Sequence, residues 1–395
     1  MAESWPQTWT GALRCPGPRP VTERHSRQEV AAIGGPAVSR SSPGQENVAG
    51  IFPRREGTRG KSGRGNSVGR PDEIRCRGRR YPVTDEVRVG GRTYFVVEVL
   101  GRGTARKVFD PRAGVGGDFR VLHTLPRSPA TGQRLETLRR AAEKNLNLPK
   151  IRESHSERNR ISVLTDWVWG TPLDRYLADV RAKKQPRPSS PEIVRLLRGL
   201  FHGVGHFHHD AHSVHGDIKA ANVVLEPRPT KFTLIDFGSA WPVERTTRRD
   251  PGDGVSAPYA APEQFMGNGP VDFRADYFSL GVLGYELLTL DIPFDGVGGR
   301  AGLPNLRDAF AGKYQPPSAR MPDGDRIPRA AVAALDRFFA RCLALDPDER
   351  FDNRAACLAA ADGLAREFRP GSRLGSFGRV FLTLLDRVRG RRPPG

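Results

Sequence analysis

The chain has 395 residues, a formal net charge of +19 at pH 7 and a mean hydropathy of −0.51, enough length for two or three domain-sized units around a substantial buried core. It has no apolar run of about 18 residues or more, and the most apolar long segment, Phe278 to Leu290, is broken by Tyr285 and Glu286, which excludes a transmembrane helix. Cys15, Cys76, Cys342 and Cys357 lack CxxC spacing, which argues against a zinc site or disulfide frame and reads as the reduced thiols of a cytoplasmic protein. An acidic residue at Glu3 and the lack of an apolar stretch after it speak against a secretory signal.

Residues 1–85 are rich in Gly, Pro, Ser and Arg and show no sustained hydrophobic period, so they are predicted to form a disordered basic arm. Within it RREGTRGKSGRG (54–65) reads either as a plain linker, the favoured reading, or as an RGG-like segment that would touch a polyanion. Periodicity sets in near Arg92. TYFVVEVLG is predicted as a strand, followed by a Gly-rich turn, a second strand KVFDP and a third, FRVLHTL (119–125). Residues 134–147 have helical composition, and ISVLTDWVWG (161–170) reads as a strand running into a linker. Beyond it, 190–209, 274–290, 329–344 and 353–367 carry 3.6-type spacing. The expectation is an α+β chain with a small β-rich lobe (86–166), a larger helical lobe (167–368) and a cleft between them. In the basic tail, 369–395, Phe377, Val380, Phe381, Leu384, Leu385 and Val388 share one helical face. That face is expected to pack on its own domain or a partner, with an anionic membrane as the alternative.

Phosphoryl transfer from ATP needs the γ-phosphate, Mg²⁺ and the acceptor hydroxyl held in line, with charge compensation around them. His215-Gly216-Asp217-Ile218-Lys219-Ala220-Ala221-Asn222 supplies an acid to accept the hydroxyl's proton, a lysine for the transferring phosphate and an asparagine for metal. This loop resembles the HRDxKxxN loop of eukaryotic-type (Hanks-like) protein kinases, and its lysine resembles the Ser/Thr-specific subgroup. Asp236-Phe237-Gly238, fourteen residues after Asn222, resembles the family's metal-binding DFG. Ser256 to Glu263 resembles its substrate-docking segment ending in Ala-Pro-Glu, while Asp276 and Arg350 match two of its structural anchors. The resemblance spans residues 92 to 367. It implies a two-lobed kinase fold, ATP and Mg²⁺ as cofactors, and a Ser/Thr protein substrate. Asp217, Lys219 and Asn222 would be catalytic, with Asn222 and Asp236 as the metal ligands.

For the nucleotide, the resemblance implies Gly101 and Gly103 against phosphate, Val108 and Val121 over adenine, and the Asp166 carbonyl and Val168 amide bonded to it. Trp167 and Trp169 are expected to pack at the lobe junction. His123 occupies the place of the family's third-strand lysine, a poor substitute for a permanent cation. The loop GRGTARKVF resembles that of the with-no-lysine kinases, which implies that Arg106, or its neighbour Lys107, supplies the charge. Glu136 and Glu143 are both candidates for the helix glutamate, although ungapped counting back from Pro149 lands near Arg139. Gly216 replaces the arginine that reads a loop phosphate, so phosphorylation at Thr246 or Thr247 is not expected to switch the chain on.

Three readings follow: an active Ser/Thr kinase, a pseudokinase serving as a binding module, and a small-molecule phosphotransferase. The Ala-Pro-Glu segment, Asp276 and Arg350 argue against the last. The histidine-rich stretch from His202 to His215 is read as a helix leading to the catalytic loop rather than a metal site.

Overall fold

Arg77 and Gly78 both adopt positive φ (48° and 76°), the geometry a two-residue hairpin turn demands, and they fold the short strands β1 (Glu73–Cys76) and β2 (Arg79–Pro82) onto each other. The computed structural model describes residues 70–100, 103, 105–145, 147–226, 231–242, 256–266, 271–310, 312–321, 327 and 329–368, all within one unit, Ser67–Gly395. Ordered structure therefore starts well before the predicted boundary at residue 85. Residues 1–69, Gly101, Thr246, Thr247 and the tail from 369 lie outside the described residues.

An antiparallel sheet of order β3-β4-β5-β6-β8-β7 follows. Its strands are β3 (Asp85–Val89), β4 (Arg92–Leu100), β5 (Ala105–Asp110), β6 (Asp118–Pro126), β7 (Ile151–Ser156) and β8 (Arg160–Asp166). Helix α1 (Pro129–Lys144) crosses between β6 and β7, opened by Ser128, whose hydroxyl accepts from the Thr131 amide at 3.1 Å, with proline at the first turn. One face of the sheet buries Val89, Tyr94, Val96, Val108, Leu122 and Leu164. The edge strand β7 comes back to β4 where Arg92 and the Tyr94 hydroxyl both reach Glu153, so the sheet curls around this small core.

The larger lobe contains β9 (Thr171–Pro172), α2 (Leu173–Arg181), α3 (Ser190–Ala211), β10 (Ser213–Val214), β11 (Val223–Leu225), β12 (Phe232–Leu234) and β13 (Trp241–Pro242). It continues through α4 (Glu263–Met266), α5 (Phe273–Thr289), α6 (Arg307–Phe310), α7 (Pro317–Arg320), α8 (Arg329–Cys342) and α9 (Arg354–Glu367). Every residue of α5 from Ala275 to Thr289 is buried, so this helix is the axis of the main core, with α3 and α8 packed on it and α9 on α3 and α8. Leu138, Ala141 and Ala142 of α1 join that core, which couples the helix of the small lobe to the large one. None of the described helices is long and apolar enough to cross a membrane.

The β1–β2 hairpin closes a third cluster of Ile74, Cys76, Val83, Phe109 and Phe119, against which Tyr81, Trp167 and Trp169 pack. Both tryptophans thus lie at the lobe junction, as expected. Lys107 is buried inside this group, its ammonium 4.1 Å from the Trp167 ring centre, 4.4 Å from Phe119 and 4.9 Å from Tyr81. Burial pushes the Lys107 ammonium below its ordinary range against the pull of Glu98 and Cys76. Asp118 ties the hairpin to the linker, accepting from Trp169 Nε1 at 3.3 Å and from Arg77 at 3.4 Å. Because Ile74 is buried in this cluster, Ile74→Ala is expected to cost about 2–3 kcal/mol by the transfer and cavity terms of a large-to-small core change. Chemical denaturation measures it, and a change below about 0.5 kcal/mol, the level of ordinary surface substitutions, would show the hairpin to be a loose appendage.

Candidate active site

Helix α3 ends at His212 in the left-handed region (φ 44°), which turns the chain through β10 and into the loop that starts at His215. The loop hangs on one buried carboxylate. Asp276, on α5, accepts from the His215 amide at 2.7 Å and the Gly216 amide at 2.9 Å, and lies 2.8 Å from His208 Nε2. Burial pushes the Asp276 carboxyl up, but the His208 hydrogen bond, the two imidazoles and the backbone amide outweigh it and hold the carboxyl below its usual range. A short 3₁₀ turn over Ala220–Asn222 then lets the Asn222 amide donate to the Asp217 carbonyl at 2.8 Å. The Ile235 amide donates back to the Asn222 carbonyl at 2.9 Å, which places Asp236 beside the loop.

Asp217, Lys219, Asn222 and Ser256 converge. Lys219 Nζ donates to Asp217 Oδ2 at 2.7 Å and to Ser256 Oγ at 2.8 Å. The other carboxylate oxygen, Asp217 Oδ1, is buried and has no hydrogen-bond partner among the described residues. Leaving such an atom unmet costs about 1–3 kcal/mol, so folding alone gives no reason to keep it. Asp236 sits at φ 64° and accepts from the Gly238 amide at 3.2 Å, and Phe237 packs between His215 and Phe207, ring centres 4.7 and 5.2 Å away.

The opposite wall is the face of the sheet turned toward α1. Strand pairing sets Ala105, His123, Val163 and Ser154 in one row across β5, β6, β8 and β7, and Lys107, Val121 and Thr165 in the next. His123 feels the Asp236 carboxylate across the cleft, but burial outweighs it and pushes the imidazole below its ordinary range. Two expectations are corrected here. Val108 pairs with Arg120 and is fully buried inside the curled sheet, so Lys107 and not Val108 stands beside Val121. Arg106 pairs with Leu122, a residue of that same interior, and so lies on the face away from His123. In a strand a shift of one residue exchanges the faces, and counting from the glycines puts every residue of β5 on the wrong one.

Neither helix glutamate turns inward. Glu136 and Glu143 are exposed, and Glu136 lies 4.0 Å from Arg140. The buried residues of α1 are Leu138, Ala141 and Ala142, and two part-buried arginines bridge to neighbouring elements: Arg139 donates to Ser154 Oγ at 2.9 Å, and Arg134 to the Gly238 carbonyl at 2.8 Å. At the linker, the Asp166 side chain is held by Arg120 at 2.9 Å and Arg152 at 2.7 Å, its amide donates to the Lys150 carbonyl, and Val168 follows outside any strand. Gly103 takes φ 91°, a backbone shape that favours glycine.

Trp241 was invisible from the loop's own sequence. A side chain at Gly216 (φ 76°) would put its Cβ 2.0 Å from the indole, which therefore fills the space an arginine would need there. Among the described residues no group of three His, Cys, Asp or Glu side chains is placed to hold a metal, and His202 and His208 pair instead with Asp362 and Asp276.

The fully buried imidazole of His215 and the part-buried one of His123 set a pH dependence. Burial pushes both below their ordinary range, so just under pH about 6.5 the unfolded chain binds protons that the folded chain refuses. Stability therefore rises with pH through that window and is lost as pH falls below it. Thermal unfolding is expected at a lower temperature at pH 5.5 than at 7.5, with a smaller difference in His215→Asn; equal midpoints would contradict the assignment.

A buried loop carrying Asp217, Lys219 and Asn222 that faces a curled sheet, bridged by a helix, is the arrangement of a two-lobed kinase domain. The family model described as "Protein kinase domain" matches residues 94–360, and the chain belongs to this family. It is 29% identical over 297 residues to the Serine/threonine-protein kinase Pkn1 of Myxococcus xanthus, covering 70% of this chain and 40% of that protein. It is 30% identical over 224 residues to the Serine/threonine-protein kinase PknF of Mycobacterium tuberculosis, covering 54% and 40%. It is also 29% identical over 194 residues to human Ribosomal protein S6 kinase alpha-4, covering 47% and 24%. The chain thus spans less than half the length of these relatives. The hairpin and β3 precede the matched region.

Proposed function

We propose that the chain is a Ser/Thr protein kinase that transfers the ATP γ-phosphate to a protein hydroxyl. The observation that carries this reading is the buried Asp217 Oδ1, without a hydrogen-bond partner among the described residues, beside Lys219 and Ser256. As the acceptor oxygen bonds to the γ-phosphorus and the bond to the β-phosphate oxygen breaks, Asp217 Oδ1 takes the hydroxyl proton and ADP leaves. Lys219, already shared between Asp217 and Ser256, balances charge on the moving phosphoryl group. Asn222 and Asp236 offer hard oxygen donors on one side of the cleft and fit Mg²⁺, which binds through one or two such groups and completes its shell with phosphate oxygens and water. The ion would neutralise phosphate charge. Val121 would roof the base, with the Asp166 carbonyl and Val168 amide along its edge.

His123 and the outward glutamates favour a second reading, a pseudokinase that binds partners without transfer. Incubation with γ-labelled ATP, Mg²⁺ and a mixed protein substrate separates the two. Label recovered as phosphoserine or phosphothreonine is expected. Binding of MgATP without any transfer supports the pseudokinase, and label confined to small molecules overturns the protein-kinase reading. A cytoplasmic setting is part of the proposal, and polyanion contact through the basic arm or tail is a further, separable expectation on segments outside the described residues.

A further inference from the structure

A triphosphate in this cleft would meet a wall whose third strand offers only the neutral imidazole of His123. Of the cations that the sequence placed nearby, Arg106 lies on the far face and the Lys107 ammonium is enclosed by Tyr81, Phe119 and Trp167. Helix α1 presents a different supply. Glu136, Glu143 and Arg140 face solvent, while Arg134 binds the Gly238 carbonyl at the corner that follows Asp236 and Arg139 binds Ser154 on β7. Arg139 lies five residues further on, about 7.5 Å along the helix. It carries one hydrogen bond, to the neutral hydroxyl of Ser154, and no carboxylate partner among the described residues. Ser154 and His123 lie on either side of Val163 in the same cross-strand row, so their strands are separated by about 10 Å. A rotamer change at the end of the arginine moves its guanidinium by about one strand spacing, from Ser154 to the space over Val163, beside His123 in the same row.

We infer that Arg139, reaching down from α1, is the phosphate-binding cation of this site, taking the place that a lysine on β6 would fill. The inference rests on the MgATP reading above and names the residue that makes it work. A guanidinium is a fitting substitute, since its planar fork binds phosphate through two parallel hydrogen bonds and never loses its charge.

Calorimetric titration of the full chain with MgATP and, separately, with adenosine tests it. Arg139→Gln keeps a donor for Ser154 while removing the charge, and Arg139→Lys restores charge. In Arg139→Gln the Kd for MgATP is expected to rise at least about tenfold with the Kd for adenosine changed less than about twofold, and Arg139→Lys to recover most of the loss. Arg106→Ala is expected to bind both ligands like the wild type. Unchanged MgATP affinity in Arg139→Gln overturns the inference, as does an equal loss for both ligands, which marks a structural role. Loss in Arg102→Ala with none in Arg139→Gln also overturns it, moving the cation to the Gly-rich loop. A wild type that binds adenosine but not MgATP overturns the functional reading itself, and this inference with it.

Discussion

Arg350→Ala is expected to destabilise the fold by about 3–5 kcal/mol, the range for removing one partner of a buried ion pair. The Arg350 side chain is 1% exposed and forks onto both oxygens of Glu263, at 2.7 and 2.9 Å. It also donates to the Ala344 and Arg274 carbonyls at 2.8 and 3.2 Å, and lies 4.8 Å from the Phe278 ring centre. Alanine would leave the Glu263 carboxylate, itself 11% exposed, without a counter-charge, and remove the donor that reaches the Ala344, Arg274 and Leu345 carbonyls. Arg350→Lys recovers only part of the loss, because a single ammonium cannot serve the carboxylate fork and the carbonyls together. Against a total stability of roughly 5–15 kcal/mol, the alanine variant stands near the edge of folding. Urea unfolding checks this; a loss below about 1 kcal/mol would mean the pair behaves like an exposed salt bridge.

Asp217→Asn is expected to slow phosphate transfer by about 10²–10⁴-fold, the usual worth of a positioned general base, while leaving MgATP affinity within about twofold. Asparagine nearly matches the aspartate in shape, so the Asn222 hydrogen bond to the residue 217 carbonyl survives. What is lost is the negative charge that holds Lys219 and the lone pair at Oδ1 that has no hydrogen-bond partner among the described residues. A rate loss accompanied by an equal loss of affinity would instead make Asp217 a binding residue. Circular dichroism and the thermal midpoint serve as the control that the fold is intact.

The large-lobe half of the site was legible in sequence because its parts are contiguous. Asp217, Lys219 and Asn222 fall within one short loop, and Asp236 follows across one hairpin, so spacing alone brings them together. The long helices were legible for the same local reason, with α3 and α5 recovered to within a residue or two of their ends. Where β5 meets the cleft, legibility failed. The face shown by each residue there depends on pairing with β6 and on the bulge between Val96 and Glu98, which no local pattern reports. The hairpin was missed because four-residue strands in an arginine-rich segment carry no period, and its apolar residues acquire meaning only against Phe119 and Trp167. Trp241 over Gly216 was missed because the two residues lie far apart in the chain and meet only in space. Arg139 did leave a trace, since counting back along the chain ended near it where a glutamate was sought.

The most direct test of the account is transfer of label from γ-labelled ATP, with Mg²⁺, by wild type and Asp217→Asn side by side, each shown by calorimetry to bind MgATP. The account predicts phosphoserine or phosphothreonine from the wild type and at least about a hundredfold less from the variant. Equal label from both proteins, or none from a wild type that binds MgATP, would contradict it.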